Sequence, residues 1–191
     1  MAVRRTWLWL GVLAGAGALY WWWSRNRSGS TDLIDEVVVT AKKIGSAVAD
    51  VVSPWLSKVP SALKGIFSAA ALQYGLPPNL LEAVAYRESR FRADVISGAL
   101  RSLAGAVGLM QIIPRFHPDL GEAGALDPSR AIPYAASYLR QLFNRFGDWQ
   151  LALAAYNWGP DNLKSHVADP SSWPAQTRGY VAEIVSNAGL I

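Results

Sequence analysis

The sequence predicts an all-helical domain over residues 61–191, preceded by a transmembrane helix and a linker. Through 61–191 apolar residues recur at helical spacing, and no window alternates with period two for long. Residues 7–23 contain no charged side chain. We therefore expect an anchor over 1–27, a linker over 28–60 that could hold an amphipathic helix, and a helical domain over 61–191.

The composition excludes several classes of function. The net charge of the chain is +4, but residues 61–191 hold eleven Lys and Arg against ten Asp and Glu, so no basic stripe indicates a nucleic-acid partner. The absence of Cys excludes disulfides, thiolate nucleophiles and Cys-ligated zinc. The two histidines, His117 and His166, lie in different segments without a metal-binding pattern. We expect neither a metal nor a cofactor.

The uncharged run over residues 7–23 has the properties of a membrane anchor. Its length is near the lower limit of the about 17–25 residues that span a bilayer as a helix. Aromatic residues stand at both ends, as at membrane interfaces, and arginines flank them. The alternatives are a cleaved signal peptide and a buried soluble helix. Bulky residues at 20–23 disfavour signal cleavage, and the flanking arginines disfavour burial.

The linker contains a second helical pattern, over residues 41–58. Its apolar positions recur at helical spacing with three lysines and an aspartate between them. This pattern fits an amphipathic helix on a membrane surface, a partner-binding helix or a stalk. Pro54 is expected to kink or restart it.

The first two helices of the domain are predicted from their end signals. Ser61 is the expected N-cap of a helix over 62–74, which Gly75 ends. Asn79 is expected to cap a second helix over 80–87.

The later part of the domain is predicted in the same way. Residues 93–107 lack helical periodicity and are expected to form a loop with some local turn structure. The Asp-Pro pair at 127–128 is expected to begin a long helix that ends at Gly147. Three further segments follow: a buried helix over 149–156 capped by Asp148, a turn or helix over 161–167, and a last helix over 177–188.

Glu88 is the candidate catalytic residue. It follows an apolar helical stretch and precedes a loop that leads into a Gly-Leu-Met-Gln turn at 108–111, while a Tyr-Asn pair lies at 156–157. Breaking a glycosidic bond requires a proton on the leaving oxygen, and a carboxyl group holds that proton at neutral pH when its surroundings disfavour the anion. The competing interpretation is a solvated glutamate at a helix end, as we expect for Glu82 of the same helix.

Four segments resemble the catalytic domain of soluble lytic transglycosylases, which has a goose-type lysozyme-like fold. They carry the motifs in the family's order and cover most of residues 61–191: Glu88–Phe91, Ala104–Pro114, Ala155–Pro160 and Gln176–Val181. The resemblance implies peptidoglycan glycan strands as substrate and Glu88 as the sole acid/base. Glu88 would protonate the oxygen between N-acetylmuramic acid and N-acetylglucosamine, and the muramoyl C6 hydroxyl would then attack C1 to give a 1,6-anhydro product.

The same resemblance implies the substrate-binding residues. Met110 and Gln111 would line the sugar cleft, Tyr156 and Asn157 would face it, and Tyr180 would lie near the catalytic glutamate. No metal ligand is implied.

Three departures from the family pattern concern the cleft. The stretch before Gly108 is longer than usual, so the family's loop serine could be Ser97 or Ser102. The usual Thr after Pro114 is missing from the run Arg-Phe-His at 115–117, and Gln-Thr stands at 176–177 in place of Glu-Thr.

The sequence therefore favours a single-pass membrane protein whose catalytic domain faces the peptidoglycan, in the periplasm or in a virion membrane. It could open the wall locally for a phage or serve a secretion machine or wall remodelling, with a corresponding virion or secretion partner. The alternatives are a muramidase that uses water and a peptidoglycan-binding structural membrane protein without activity.

Overall fold

The computed structural model describes residues 54–190. The predicted transmembrane helix over 7–23 and all of the linker except residues 54–60 lie outside the described part. Residues 54–190 form eight α-helices and no β-strand. No helix of this part is both long and apolar enough to cross a membrane. The all-helical prediction for the domain is confirmed.

The helices are numbered in chain order. They are α1 (Ser61–Tyr74), α2 (Leu80–Ser89), α3 (Ala93–Ile96), α4 (Gly121–Leu126), α5 (Pro128–Phe146), α6 (Trp149–Trp158), α7 (Pro160–Lys164) and α8 (Ala175–Ala188). Three short 3-10 turns accompany them: one before α1, at Leu56–Lys58, and two between later helices, at Pro114–Phe116 and Pro170–Ser172.

The long helix α5 is the centre of the domain. One face carries fully buried side chains, among them Ile132 and Leu139, as its apolar stripe predicts. α5 packs against α1 and α6, and α8 packs against both α2 and α6. The C-terminal ends of α2 and α6 are thereby brought close to the first half of α8, and this meeting of three helices positions the candidate site.

The predicted starts of α5 and α6 are confirmed by their caps. The Asp127 carboxylate accepts a hydrogen bond from Ser129 N at 2.9 Å. The Asp148 carboxylate accepts from the backbone nitrogens of Gln150 and Leu151 at 2.8 and 3.0 Å. Both caps satisfy backbone donors that have no partner inside the helix.

Other expected boundaries were wrong. Ser61 is the first residue of α1 rather than its N-cap, because Pro60 takes the cap position and no side chain caps this helix. α2 continues to Ser89, two residues past the expected end, so Glu88 lies inside its last turn. The expected loop over 93–107 contains α3, and α4 was not predicted.

The core of the domain extends before the expected boundary at residue 61. Trp55 and Val59 are 4% and 5% exposed and belong to the core. The Trp55 ring stacks on Tyr86 of α2 at a centroid distance of 5.7 Å. Lys58 Nζ donates to the Tyr86 hydroxyl at 3.1 Å. The segment just before α1 is therefore attached to the helix that carries Glu88.

Candidate active site

Glu88 stands where α2 ends abruptly. The two residues that follow the helix, Arg90 and Phe91, both have left-handed backbone, with φ of 52° and 56°. Ser89 closes the helix end, because its buried hydroxyl donates to Ala85 O at 2.9 Å and accepts from Phe91 N at 3.2 Å. Ser89 therefore has a structural role at the helix end.

The surroundings of Glu88 favour its protonated form. Burial raises the pKa of this carboxyl group from 4.5 to about 7, although the Tyr180 hydroxyl and the charge of Arg87 act in the opposite direction. The Tyr180 hydroxyl donates to Glu88 Oε1 at 2.7 Å. Glu88 is half-buried and lines a cleft, so the interpretation as a solvated residue does not hold. A carboxyl group with this pKa can both give and take a proton near neutral pH.

The turn over residues 107–112 forms one wall of the cleft. Val107 and Ile112 exchange two backbone hydrogen bonds, of 3.0 and 3.2 Å, which close the turn. Gly108 has a φ of 76°, and a Cβ at this position would collide with the carbonyl oxygen of Ala125, so only glycine fits. Gln111 also has a positive φ, of 47°, and its side-chain amide donates to Gly108 O at 3.0 Å.

The end of α6 forms the facing wall. The Tyr156 hydroxyl donates to Met110 O at 3.0 Å, which ties α6 to the turn. The Thr177 hydroxyl donates to Asn157 Oδ1 at 3.0 Å, and Thr177 is only 2% exposed. This bond turns the amide oxygen of Asn157 toward Thr177. The NH₂ group is therefore the end of the amide that can donate to a ligand in the cleft. The motif identified Asn157, but not the part that Thr177 plays in orienting it.

The cleft has a volume of about 1210 Å³, above the roughly 300–1,000 Å³ of sites for drug-sized ligands. Four of the six predicted site residues line it: Glu88, Gln111, Tyr156 and Asn157. Met110 does not, because its side chain is fully buried in the core and only its carbonyl oxygen serves the site. Tyr180 lies behind Glu88 and is 2% exposed. Within residues 54–190, no group of three or more His, Asp or Glu side chains could hold a metal ion.

The comparison with protein families decides the identity of this domain. The sequence profile of the family described as Transglycosylase SLT domain matches residues 65–176, more than half of the chain. The chain belongs to this family. Its motifs around Glu88, Gln111 and Asn157 all lie within the matched range.

Individual relatives agree with the family. The transglycosylase of Enterobacteria phage PRD1 is 34% identical over 123 residues, which are 64% of this chain and 42% of the phage protein. The soluble lytic murein transglycosylase of Escherichia coli K12 is 30% identical over 151 residues, which are 68% of this chain and 23% of that protein. The chain therefore spans less than half the length of these relatives.

A solved structure supports the fold. The crystal structure of an inactive glutamate-to-glutamine mutant of the lytic transglycosylase Slt from Pseudomonas aeruginosa superposes with a TM-score of 0.58 at 28% identity. The match covers 69% of this chain and 24% of that one. The described domain thus has the all-helical, lysozyme-like fold of lytic transglycosylases.

This SLT domain also has cleft residues that the motifs did not identify. His117 Nδ1 lies 2.9 Å from the Tyr134 hydroxyl, and the His117 ring meets the rings of Tyr134 and Tyr138 edge-on, with centroids 5.5 and 5.1 Å away. Burial lowers the pKa of His117. Phe116 lines the same cleft and is 64% exposed. The only signal in the sequence was that residues 115–117 depart from the family pattern.

The structure separates the two candidate loop serines of the SLT domain. Ser102 lines the cleft, and its hydroxyl accepts from Ala106 N at 2.9 Å. Ser97 instead follows α3, where its hydroxyl donates to Asp94 O at 3.2 Å. Ser102 is therefore the serine that can reach a ligand in the cleft.

Proposed function

We propose that this protein is a membrane-anchored lytic transglycosylase that cleaves peptidoglycan between N-acetylmuramic acid and N-acetylglucosamine, with Glu88 as the single acid/base. The observation that carries the proposal is one half-buried carboxyl group in a large cleft, bound by the Tyr180 hydroxyl and with a pKa of about 7. The names of the phage PRD1 and Escherichia coli relatives support the reaction class.

The reaction uses Glu88 twice. Protonated Glu88 gives its proton to the bridging oxygen as the bond from that oxygen to the muramoyl C1 breaks. The N-acetyl carbonyl oxygen of the same sugar supports the positive charge that develops at C1. The Glu88 carboxylate then takes the proton of the muramoyl C6 hydroxyl while the C6 oxygen bonds to C1. The products are a 1,6-anhydromuramoyl end and a free N-acetylglucosamine 4-hydroxyl, and no water is consumed.

The placement of the other carboxylates in the cleft favours formation of the 1,6-anhydro ring over hydrolysis. Most glycoside hydrolases use a second carboxylate across the scissile bond, as nucleophile or as base for water. Asp161 lines the cleft, but its side chain is 93% exposed and pairs with Arg145 at 3.1 Å. Asp119 also lines the cleft, where its charge acts on the Tyr134 hydroxyl. Neither is held against Glu88 as Tyr180 is.

Glu88→Gln tests the assigned role. The amide keeps the shape of the side chain but cannot transfer the proton, so we expect the rate of glycan cleavage on intact sacculi to fall by about 10²–10⁴-fold. Binding to sacculi should remain. Release of soluble fragments at the parental rate would refute the role of Glu88 as the acid/base.

Glu82→Gln is the matched control, because Glu82 lies on the same helix and does not line the cleft. Contrary to expectation, Glu82 is not fully exposed. It is half-buried, its Oε2 has no hydrogen-bond partner among the described residues, and burial raises its pKa. The neutral amide should therefore be tolerated and the cleavage rate should stay near the parental value.

The anchor is proposed from the sequence of residues 7–23, with the catalytic domain on the side that faces the wall. Anchoring limits cleavage to glycan close to the membrane, which suits local opening of the wall by a phage or during secretion or wall remodelling. In cell fractionation we expect the full chain in the membrane fraction and a variant lacking residues 1–27 in the soluble fraction. Equal distribution of the two proteins would exclude the anchor.

A further inference from the structure

Glu183 of α8 binds two arginines from the end of α2. The Arg90 guanidinium contacts both carboxylate oxygens, with Nη1 on Oε1 and Nη2 3.0 Å from Oε2. Arg87 Nε lies 3.1 Å from Oε2, an ion pair without hydrogen-bond geometry, because this nitrogen has no hydrogen-bond partner among the described residues. Glu183 follows Tyr180 by three residues, so the two side chains lie on the same face of α8. The two helices are thus joined at two adjacent points, Tyr180 to Glu88 and Glu183 to the arginines.

The ion pairs act on a strained segment. Arg90 and Phe91 are consecutive residues with positive φ, a conformation that is unfavourable for any side chain with a Cβ and persists only when the surroundings enforce it. Arg90 is held by Glu183 and stacks on the Tyr86 ring at 4.6 Å. These contacts hold the end of α2 beside α8, next to the turn that carries Glu88.

The same contacts place charge beside Glu88. Arg87 is its neighbour in sequence, and its guanidinium lies 5.6 Å from the centre of the Tyr180 ring. The charge of Arg87 lowers the pKa of Glu88 against the effect of burial. The Tyr180 hydroxyl from α8 also lowers the pKa of Glu88, and the charge of Glu88 in turn contributes to the raised pKa of Tyr156 on α6. The Glu183 carboxylate offsets part of the positive charge at this helix end.

We propose that Glu183 is a positioning residue for the reaction: it ties Arg87 and Arg90 to α8, which keeps the Glu88 carboxyl group against the Tyr180 hydroxyl and limits the positive charge that Glu88 experiences. The inference rests on the proposed role of Glu88. The three ion-pairing side chains are 30–41% exposed, and such pairs contribute little to folding stability. An effect on the reaction is therefore separable from an effect on folding.

Two substitutions of Glu183 in the full chain separate the effect of its contacts with the arginines from the effect of its negative charge. Glu183→Ala removes both, and we expect kcat on purified glycan strands to fall about tenfold while KM changes by less than about twofold. Glu183→Gln keeps an acceptor oxygen but loses the charge, so we expect a smaller fall in kcat. In its pH–rate profile, the fall of activity on the alkaline side should occur at a lower pH than in the parent. The reason is that more positive charge near Glu88 lowers the pKa of the proton donor.

Glu122→Gln and Glu122→Ala are the matched controls. Glu122 lies on α4 outside the cleft and pairs with Arg101 at 2.7 Å, with 50% of its side chain exposed. We expect its substitutions to leave kcat and the pH profile unchanged. For all four variants Tm should fall by no more than about 5 °C.

The double variant Arg90→Gln with Glu183→Gln checks that the two residues act through each other. Its kcat should be no lower than that of the worse single variant. If the Glu183 variants do not fold, Arg90→Lys gives the same test, because it keeps the charge and loses the two-point contact, and a parental kcat for it would overturn the proposal. Parental kcat and pH profile for both Glu183 variants would also overturn it, whatever their Tm.

Glu88→Gln, measured in the same assay, keeps this inference distinct from the proposed function. If Glu88→Gln is inactive and the Glu183 variants are parental, only the positioning role fails. If Glu88→Gln is fully active, the proposed function fails first and the positioning role fails with it.

Discussion

The folded protein stabilises the protonated form of the Glu88 carboxyl group relative to its anion. Its pKa is 4.5 in the absence of the fold and about 7 within it. Because the folded state binds this proton more tightly, the contribution of Glu88 to stability is fully present below about pH 4.5 and is lost as the pH rises through 7. The loss is about 2 kcal/mol, since part of the residue remains in contact with water.

This linkage gives a prediction for Glu88→Gln, whose side chain does not titrate. The free energy of unfolding of the parent should fall by about 2 kcal/mol more than that of the variant between pH 4.5 and pH 8. Urea unfolding at the two pH values measures this difference. Glu122→Gln should change with pH as the parent does, because Arg101 lowers the pKa of Glu122 and keeps it ionised. Equal pH dependence of Glu88→Gln and parent would show that burial does not hold the proton.

At the residue scale, the sequence motifs identified which residues form the site more successfully than they identified how each residue takes part. Glu88, Gln111, Tyr156 and Asn157 line the cleft as expected. Met110 does not, because the orientation of a side chain in a tight turn depends on backbone angles that the motif does not reveal. The burial of Glu82 was missed for a related reason, since the side chains that cover a helix come from distant parts of the chain.

At the element scale, Asp148 and Ser61 offer a matched pair of helix starts. Asp148→Ala removes two hydrogen bonds to the backbone of α6 and should lower the free energy of unfolding by about 1 kcal/mol. Ser61→Ala should change it by less than about 0.5 kcal/mol, because the Ser61 side chain caps no backbone group of α1. Chemical denaturation of the two variants checks this. Similar losses of free energy of unfolding in the two variants would mean that Ser61 and Asp148 cap their helices equally well.

Long helices with strong end signals were predictable, and the short helices α3 and α4 were not. α5 and α6 combine a buried apolar face with an aspartate cap and were expected within two residues of their observed bounds. α3 and α4 have four and six residues, too few for a helical period to emerge from the sequence. Their stability comes from the surrounding domain, because isolated helices of this length do not persist in water.

At the scale of the whole molecule, the folded unit begins earlier than the sequence indicated. Trp55 and Leu56 were assigned to an amphipathic helix of the linker, because their spacing continued its apolar stripe. In the structure Trp55 is buried against Tyr86, a contact between residues 31 positions apart in sequence. Such long-range pairing leaves no local pattern. It places the chain that leads from the proposed anchor directly on the helix that carries Glu88.

We propose that Glu88 moves one proton between two oxygens of the same glycan without the use of water. The most direct test is digestion of sacculi by the full chain in ¹⁸O-labelled water, followed by mass spectrometry of the muramoyl ends. We expect 1,6-anhydromuramoyl ends without ¹⁸O from the parent and no such ends from Glu88→Gln. Reducing muramoyl ends that carry ¹⁸O would show that water, and not the C6 hydroxyl, attacks C1.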